Sequence, residues 1–275
     1  MPPAVGYAMR QDNLSVIDEP AWTGVEINFQ DANDPLRPSP YLHGSSFEYA
    51  SVHALHLSVA SPEPPPLSYL DALMAVAQEN GAVAITDHLG FTHGEPGGAN
   101  VGHVTAPGWT PAALDAVCRN VDFIQKRFGR FTLYLENLAH FFIFRGTMSE
   151  ADFLGRVLEK TGCGLLLDVT NVYANAVNFG HDARAFIREV VGHAPRVQMH
   201  LSGGVVDTRN RRYLDTHSEP IPDAVWDLYR HALTVGRGKV DAVFIERDWN
   251  APDEEGWRSE VRRVRQVALE VEGQP

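Results

Sequence analysis

The chain is poor in cysteine, with only Cys118 and Cys163 among its 275 residues. Two cysteines build neither a disulfide framework nor a thiolate-rich structural zinc site. Cys163, in TGCG ahead of an apolar run, and Cys118, inside a helical pattern, read as small buried residues. Long hydrophobic runs are also missing, and MPPAVGYAMRQDN lacks the basic-then-apolar order of a signal peptide. A cytoplasmic protein without membrane contact is therefore expected. Basic residues number 23 against 35 acidic ones, a net charge of −12, which disfavours nucleic acid as a partner. The basic clusters at 209–212 and 258–265 are short, and the second reads as the solvated face of a last helix. Neither a repeat nor a low-complexity linker interrupts the chain. One domain over residues 1–272, with a disordered tail at 273–275, is the expectation.

What the chain does have is eight short apolar runs: AVGYAM (4–9), VEINF (25–29), VHALHLSV (52–59), AVAITDH (82–88), FTLYLE (131–136), GLLLD (164–168), VQMHL (197–201) and AVFIER (242–247). Helical periodicity fills most of the gaps between them. Strand and helix alternating eight times predicts an α/β fold, a single (β/α)8 TIM barrel. SPEPPPLS (61–68) reads as a loop opening a helix near Ser68, and Ser149 to Asp152 as a capping box whose helix runs to Gly162. Further helices are expected from Asp182 and after Pro222, while HGEPGGANVGH (93–103), with no strand or helix period, reads as a long loop over the fourth strand.

Catalytic groups of such barrels sit at the carboxyl ends of the strands. Here these ends supply His53, His88, Glu136, Asp168, His200 and Glu246. Alternation along VHALHLSV allows at most one of His53 and His56 to face the axis without a bulge. A lone strand histidine is more often a hydrogen-bonded structural residue than a ligand. Six such groups on six strands are another matter, because burying several carboxylates in one funnel without compensation costs many kcal/mol. A bound cation is the simplest compensation. Imidazole mixed with carboxylate suits iron, manganese, zinc or cobalt. Asp168 and Asn171 in LLLDVTNVY, and Asp215 and His217 in YLDTHSEP, have spacings that can bring each pair to one pocket as strand becomes loop, although Asn171 could equally cap a turn.

The segments ITDHLGF, LYLENLAHF, TGCGLLLDVTNVYANAVNFG, QMHLSGG, LDTHSEPIPDAVWDLY and FIERDWNAP resemble, in order and spacing, the multinuclear non-haem iron-dependent oxidative enzymes. The resemblance spans nearly the whole chain. It implies a TIM barrel holding two or three irons in mixed Fe(II)/Fe(III) states, with dioxygen as cosubstrate. His53, matching the family's early His-Gly-Val segment, would hold one iron with His88 and Glu136. Glu136 would bridge to a second, completed by Asp168, His200 and Glu246, and Asn171, Asp215 and His217 would hold a third. The implied reaction is oxidation of a side chain, usually cysteine, in a ribosomally made precursor peptide that a separate partner protein recognises. Gly204, where relatives commonly have histidine, is expected to enlarge the pocket, and the roles of Glu26 and Asn28 stay open. Two other classes compete: a divalent-metal hydrolase or isomerase of the endonuclease IV or xylose isomerase kind, and a non-catalytic metal- or peptide-binding scaffold.

Overall fold

The computed structural model describes residues 1–29, 47–94, 100–144 and 146–273. Eight of its strands close a parallel barrel: β1 (Ala4–Ala8), β2 (Gly24–Phe29), β3 (Tyr49–Ala54), β4 (Ala84–His88), β7 (Thr132–Glu136), β8 (Gly164–Asp168), β9 (Val197–Leu201) and β12 (Val240–Ile245). Strand β1 pairs with both β2 and β12, which completes the circle. The remaining four strands make two antiparallel hairpins, β5 (Phe91–His93) with β6 (Asn100–Thr105) and β10 (Val205–Asp207) with β11 (Arg212–Leu214). The first hairpin corrects the expectation of a loop without strands over 93–103. Its glycines and short arms carry no readable period, and residues 95–99 lie outside the described residues.

Among the described residues seven α-helices surround the barrel: α1 (Leu67–Glu79), α2 (Pro111–Phe128), α3 (Glu150–Thr161), α4 (Val169–Phe179), α5 (Ala183–His193), α6 (Asp223–Val235) and α7 (Glu254–Glu272). Thr110, Ser149, Asp168, Asp182 and Asp253 each accept a hydrogen bond from a first-turn amide and so fix the starts of α2, α3, α4, α5 and α7. Gly162 ends α3 in the left-handed conformation, at φ 68°, where a side chain would be strained. Helix α2 buries Leu114, Val117, Val121, Ile124 and Phe128, a stripe at three- and four-residue spacing that packs toward the strands. Gly273 caps α7, and residues 274 and 275 lie outside the described residues.

Strand alternation divides the apolar residues. One large cluster lies between strands and helices and includes Val52, Ile85, Leu135, Leu167, Met199 and Val243. Their neighbours in sequence point inside, where Ala4, Tyr49, Ala84, Tyr134, Leu166, Ala242 and Phe244 form a small apolar layer. Two residues further along the same strands, the same parity brings in Ser51, Thr86, Glu136 and Asp168, with Glu246 just past β12. The barrel interior is thus built in two storeys, apolar below and polar above.

Candidate metal centre

On the upper storey the side chains draw together. Glu136 is central: its Oε2 atom lies 3.9 Å from His53 Nε2, 3.7 Å from His88 Nε2 and 3.9 Å from His200 Nδ1. These separations are too long for hydrogen bonds. They suit donor atoms that share ions at bond lengths of about 2.0–2.2 Å. Three overlapping groups have donors close enough to hold an ion: His53, His88 and Glu136; Glu136, Asp168 and His200; Asp168, His217 and Glu246. Glu136 Oε2, Asp168 Oδ2, Asn171 Oδ1 and His200 Nδ1 are buried without a hydrogen-bond partner. Four orphaned polar atoms at one place fit a cation, since each would otherwise cost about 1–3 kcal/mol.

The electrostatics point the same way. Burial, reinforced by the charges of Asp215 and Glu136, raises the Asp168 carboxyl well above its ordinary value. Burial also raises Glu136 to about 7, against the pull of His88 and His200. His53 is depressed to about 4 by burial and by the charge of His88. For His88 burial works downward too, but the Glu136 and Asp87 carboxylates outweigh it and lift the imidazole to about 9. Glu246 is buried yet held well below the carboxylate range by His200 and His217. Carboxyls driven so far apart in one pocket are a pattern that functional sites share with buried ion-pair networks.

Above the cluster opens a cavity of about 750 Å³. His53, His88, Glu136, His217 and Glu246 form its floor, and Met9, Leu14, Leu55, Val104, Leu138 and Phe141 are among the apolar residues of its wall. Asp168 and His200 are wholly buried beneath it. Val104 of β6 and Tyr213 of β11 bring both hairpins to the rim.

Residues 35–269 match the family of RiPP precursor modification enzymes described as MbnB/TglH/ChrH, enzymes acting on ribosomally made, post-translationally modified peptides. The chain belongs to this family. Among its relatives, a UPF0276 protein of Rhizorhabdus wittichii is 38% identical over 204 residues, covering 74% of this chain and 70% of the relative. A UPF0276 protein of Chromobacterium violaceum is 31% identical over 239 residues, covering 85% and 84%. Solved structures with a similar fold include an L-ribulose 3-epimerase (TM-score 0.61, 15% identity, 98% and 95% covered) and endonuclease IV of Thermus thermophilus (TM-score 0.60, 18% identity, 98% and 99% covered). At these identities the likeness shows the barrel alone.

In this MbnB/TglH/ChrH member seven of the nine candidate residues, His53, His88, Glu136, Asp168, His200, His217 and Glu246, fall into the three groups. Asn171 and Asp215 stand beside them. Strand β8 passes directly into α4 without the intervening loop expected at Asp168, and Asn171 occupies the first turn of that helix. Its Nδ2 donates to the Asn137 carbonyl at 3.1 Å and lies 3.4 Å from Glu136 Oε1. Asp215 Oδ2 is bound to His217 Nε2 at 2.9 Å, and Oδ1 accepts from Ser202. Strand β3 ends at Ala54, so His56 has left the sheet; its ring neighbours are Tyr69 and His93.

Gly204 does not widen the pocket as expected. A Cβ there would lie 2.0 Å from the Leu214 carbonyl oxygen, and the Gly204 amide donates to Tyr213 Oη, so the second hairpin occupies that space. Sequence reasoning also passed over Asp87, which faces His88 Nδ1 at 3.2 Å, and Asp248, which faces His217 Nδ1 at 3.0 Å. Asp87 adjoins His88 in ITDH, which was the available signal for the first; the second is a contact between distant loops.

Both His217 nitrogens face carboxylates, Asp215 on one side and Asp248 on the other. A metal at this group must compete with those hydrogen bonds. His217→Ala is expected to lower the metal content of reconstituted protein by about one ion per chain and to spare the ions at Glu136, because ligation is set locally. Metal analysis of the two proteins checks this. Loss of every ion, or of none, would show that His217 does not serve a separable site.

Proposed function

We propose that the enzyme binds two or three iron ions in mixed ferrous and ferric states and uses dioxygen to oxidise a cysteine side chain of a ribosomally made precursor peptide. The observation that carries this reading is the set of buried, unpartnered donors on Glu136, Asp168, Asn171 and His200 beneath an open cavity. Family membership supports the peptide substrate. The mixed imidazole and carboxylate donors suit iron, and the resemblance to iron-dependent oxidases favours that ion over its competitors.

Iron held there would supply Lewis acidity toward a substrate thiol and electron transfer to dioxygen. The chain supplies the rest. Glu136 and Asp168, each shared by two of the groups, would hold neighbouring ions at a fixed separation. Leu55, Leu138 and Phe141 would keep water from the side chain being oxidised. The cavity has the size of a small-ligand site, enough for the reacting residue and its neighbours, while the remainder of the peptide stays outside. A separate protein would recognise that remainder.

Anaerobic purification followed by metal analysis and oxygen uptake tests this reading. Roughly two to three irons per chain are expected, at about three protein donors each, with oxygen consumed only when a cysteine-containing precursor is added. Zinc, manganese or magnesium without oxygen uptake would instead assign a hydrolase or isomerase. Protein that stays metal-free after ferrous reconstitution would assign a scaffold.

A further inference from the structure

The proton positions on two metal-facing histidines trace to a single carboxylate on β2. Glu26 is fully buried. Its Oε1 meets His200 Nε2, and its Oε2 receives Ser51 Oγ at 2.8 Å, Thr86 Oγ1 at 3.1 Å and Gln198 Nε2 at 2.6 Å. An ionised carboxylate only accepts, so all four partners must donate to it. His200 therefore carries a hydrogen on Nε2, which leaves Nδ1, facing Glu136 and Glu246, as the nitrogen a metal ion would take.

The second consequence passes through Thr86. A threonine hydroxyl has one hydrogen, and here it is directed at Glu26. Toward His53 Nδ1, 2.8 Å away, the same oxygen can then only accept. His53 must carry its hydrogen on Nδ1, which leaves Nε2 bare on the side of Glu136. Nothing comparable is needed for His88, whose neighbour Asp87 takes the equivalent position.

We propose that Glu26 is a positioning residue that selects, directly for His200 and through Thr86 for His53, the ring nitrogen offered to the metal ions. The assignment rests on the metal-binding reading of the site, but on neither the identity of the metal nor the substrate. It accounts for a buried carboxylate that does not line the cavity above the cluster and lies 174 residues from the histidine it binds. Partners of this kind orient the ring and raise its basicity as a ligand.

The test uses zinc, which takes the same donors and is diamagnetic. In zinc-loaded protein carrying 15N-labelled histidine, long-range proton–nitrogen correlation spectra should show His200 protonated on Nε2 and His53 on Nδ1. Glu26→Gln sets an amide donor against donors. It should disturb both tautomers and weaken zinc binding by about 10–100-fold, and Glu26→Asp should restore the wild-type tautomers. Thr86→Val should change His53 while leaving His200 as it was. Opposite tautomers in the zinc-loaded wild type would overturn the proposal, as would unchanged spectra and affinity in Glu26→Gln, or an equal disturbance of both rings in Thr86→Val. If Glu26→Gln does not fold, the wild-type tautomers and Thr86→Val decide. Failure of the wild type to bind zinc would be a different result, overturning the metal reading itself.

Discussion

Glu136→Gln is expected to leave at most about one metal ion per chain and to lower turnover about a thousandfold, equivalent to ~4 kcal/mol of lost transition-state stabilisation. Glu136 belongs to two of the three donor groups, and its unpartnered Oε2 lies 3.7 to 3.9 Å from nitrogens of three histidines. The amide keeps the volume and replaces one anionic oxygen, so the fold should survive. The group formed by Asp168, His217 and Glu246 contains no Glu136 and should retain its ion. Cys163→Ser is the control, because Cys163 lies buried in the outer core and should leave metal content unchanged. A full metal complement in Glu136→Gln, or equal losses in both variants, would remove Glu136 from the centre of the site.

Asp168→Asn should move stability in opposite directions according to whether metal is bound. Asp168 Oδ1 caps α4 by accepting from the Asn171 amide at 2.6 Å, a role an asparagine oxygen can keep. Oδ2 is buried and unpartnered. Without metal, the folded protein holds this carboxyl well above its ordinary value, chiefly through burial. The sign then follows from proton linkage. Below the unfolded carboxyl's titration, both states are protonated and nothing is lost. As pH rises past it, the unfolded state ionises while the folded state keeps its proton, so stability falls. The asparagine variant escapes this penalty and, metal-free at pH 7, should be about 1–3 kcal/mol more stable than wild type. With metal in excess the order should reverse, since the ion would bind wild type far better and stabilise it by mass action. Thermal melts between pH 4 and 8, with and without metal, give the answer. A metal-free variant less stable than wild type at neutral pH would mean that Asp168 is satisfied in some other way.

The barrel was legible because parallel strands buried on both faces read as unbroken apolar runs, and GLLLD is buried from end to end. Strand-end positions then exposed His53, His88, Glu136, Asp168 and His200 to inspection. What the sequence hid was pairing across distance. Glu26 has the same inward parity as any other inner residue, and only the register of β2 on β3, with Asn28 beside His53, sets its depth. The association of His217 with Asp168 and Glu246 likewise depends on where three separate elements end. The hairpins were invisible for a local reason: arms of three residues, such as Phe91–His93 and Val205–Asp207, are too short to show alternation.

The two-storey interior bears on how such an enzyme can change. Tyr49, Tyr134, Leu166 and Phe244 fill the lower end of the barrel, while the proposed ligands stand above them on the same strands. A substitution in the upper storey acts on the polar donors and leaves the packing that closes the barrel in place, and the hairpins stand apart from that packing at the rim. Variation in packing, in the polar donors and in the rim thus falls largely on different residues. Lineages could drift in one property while the other two are held by selection.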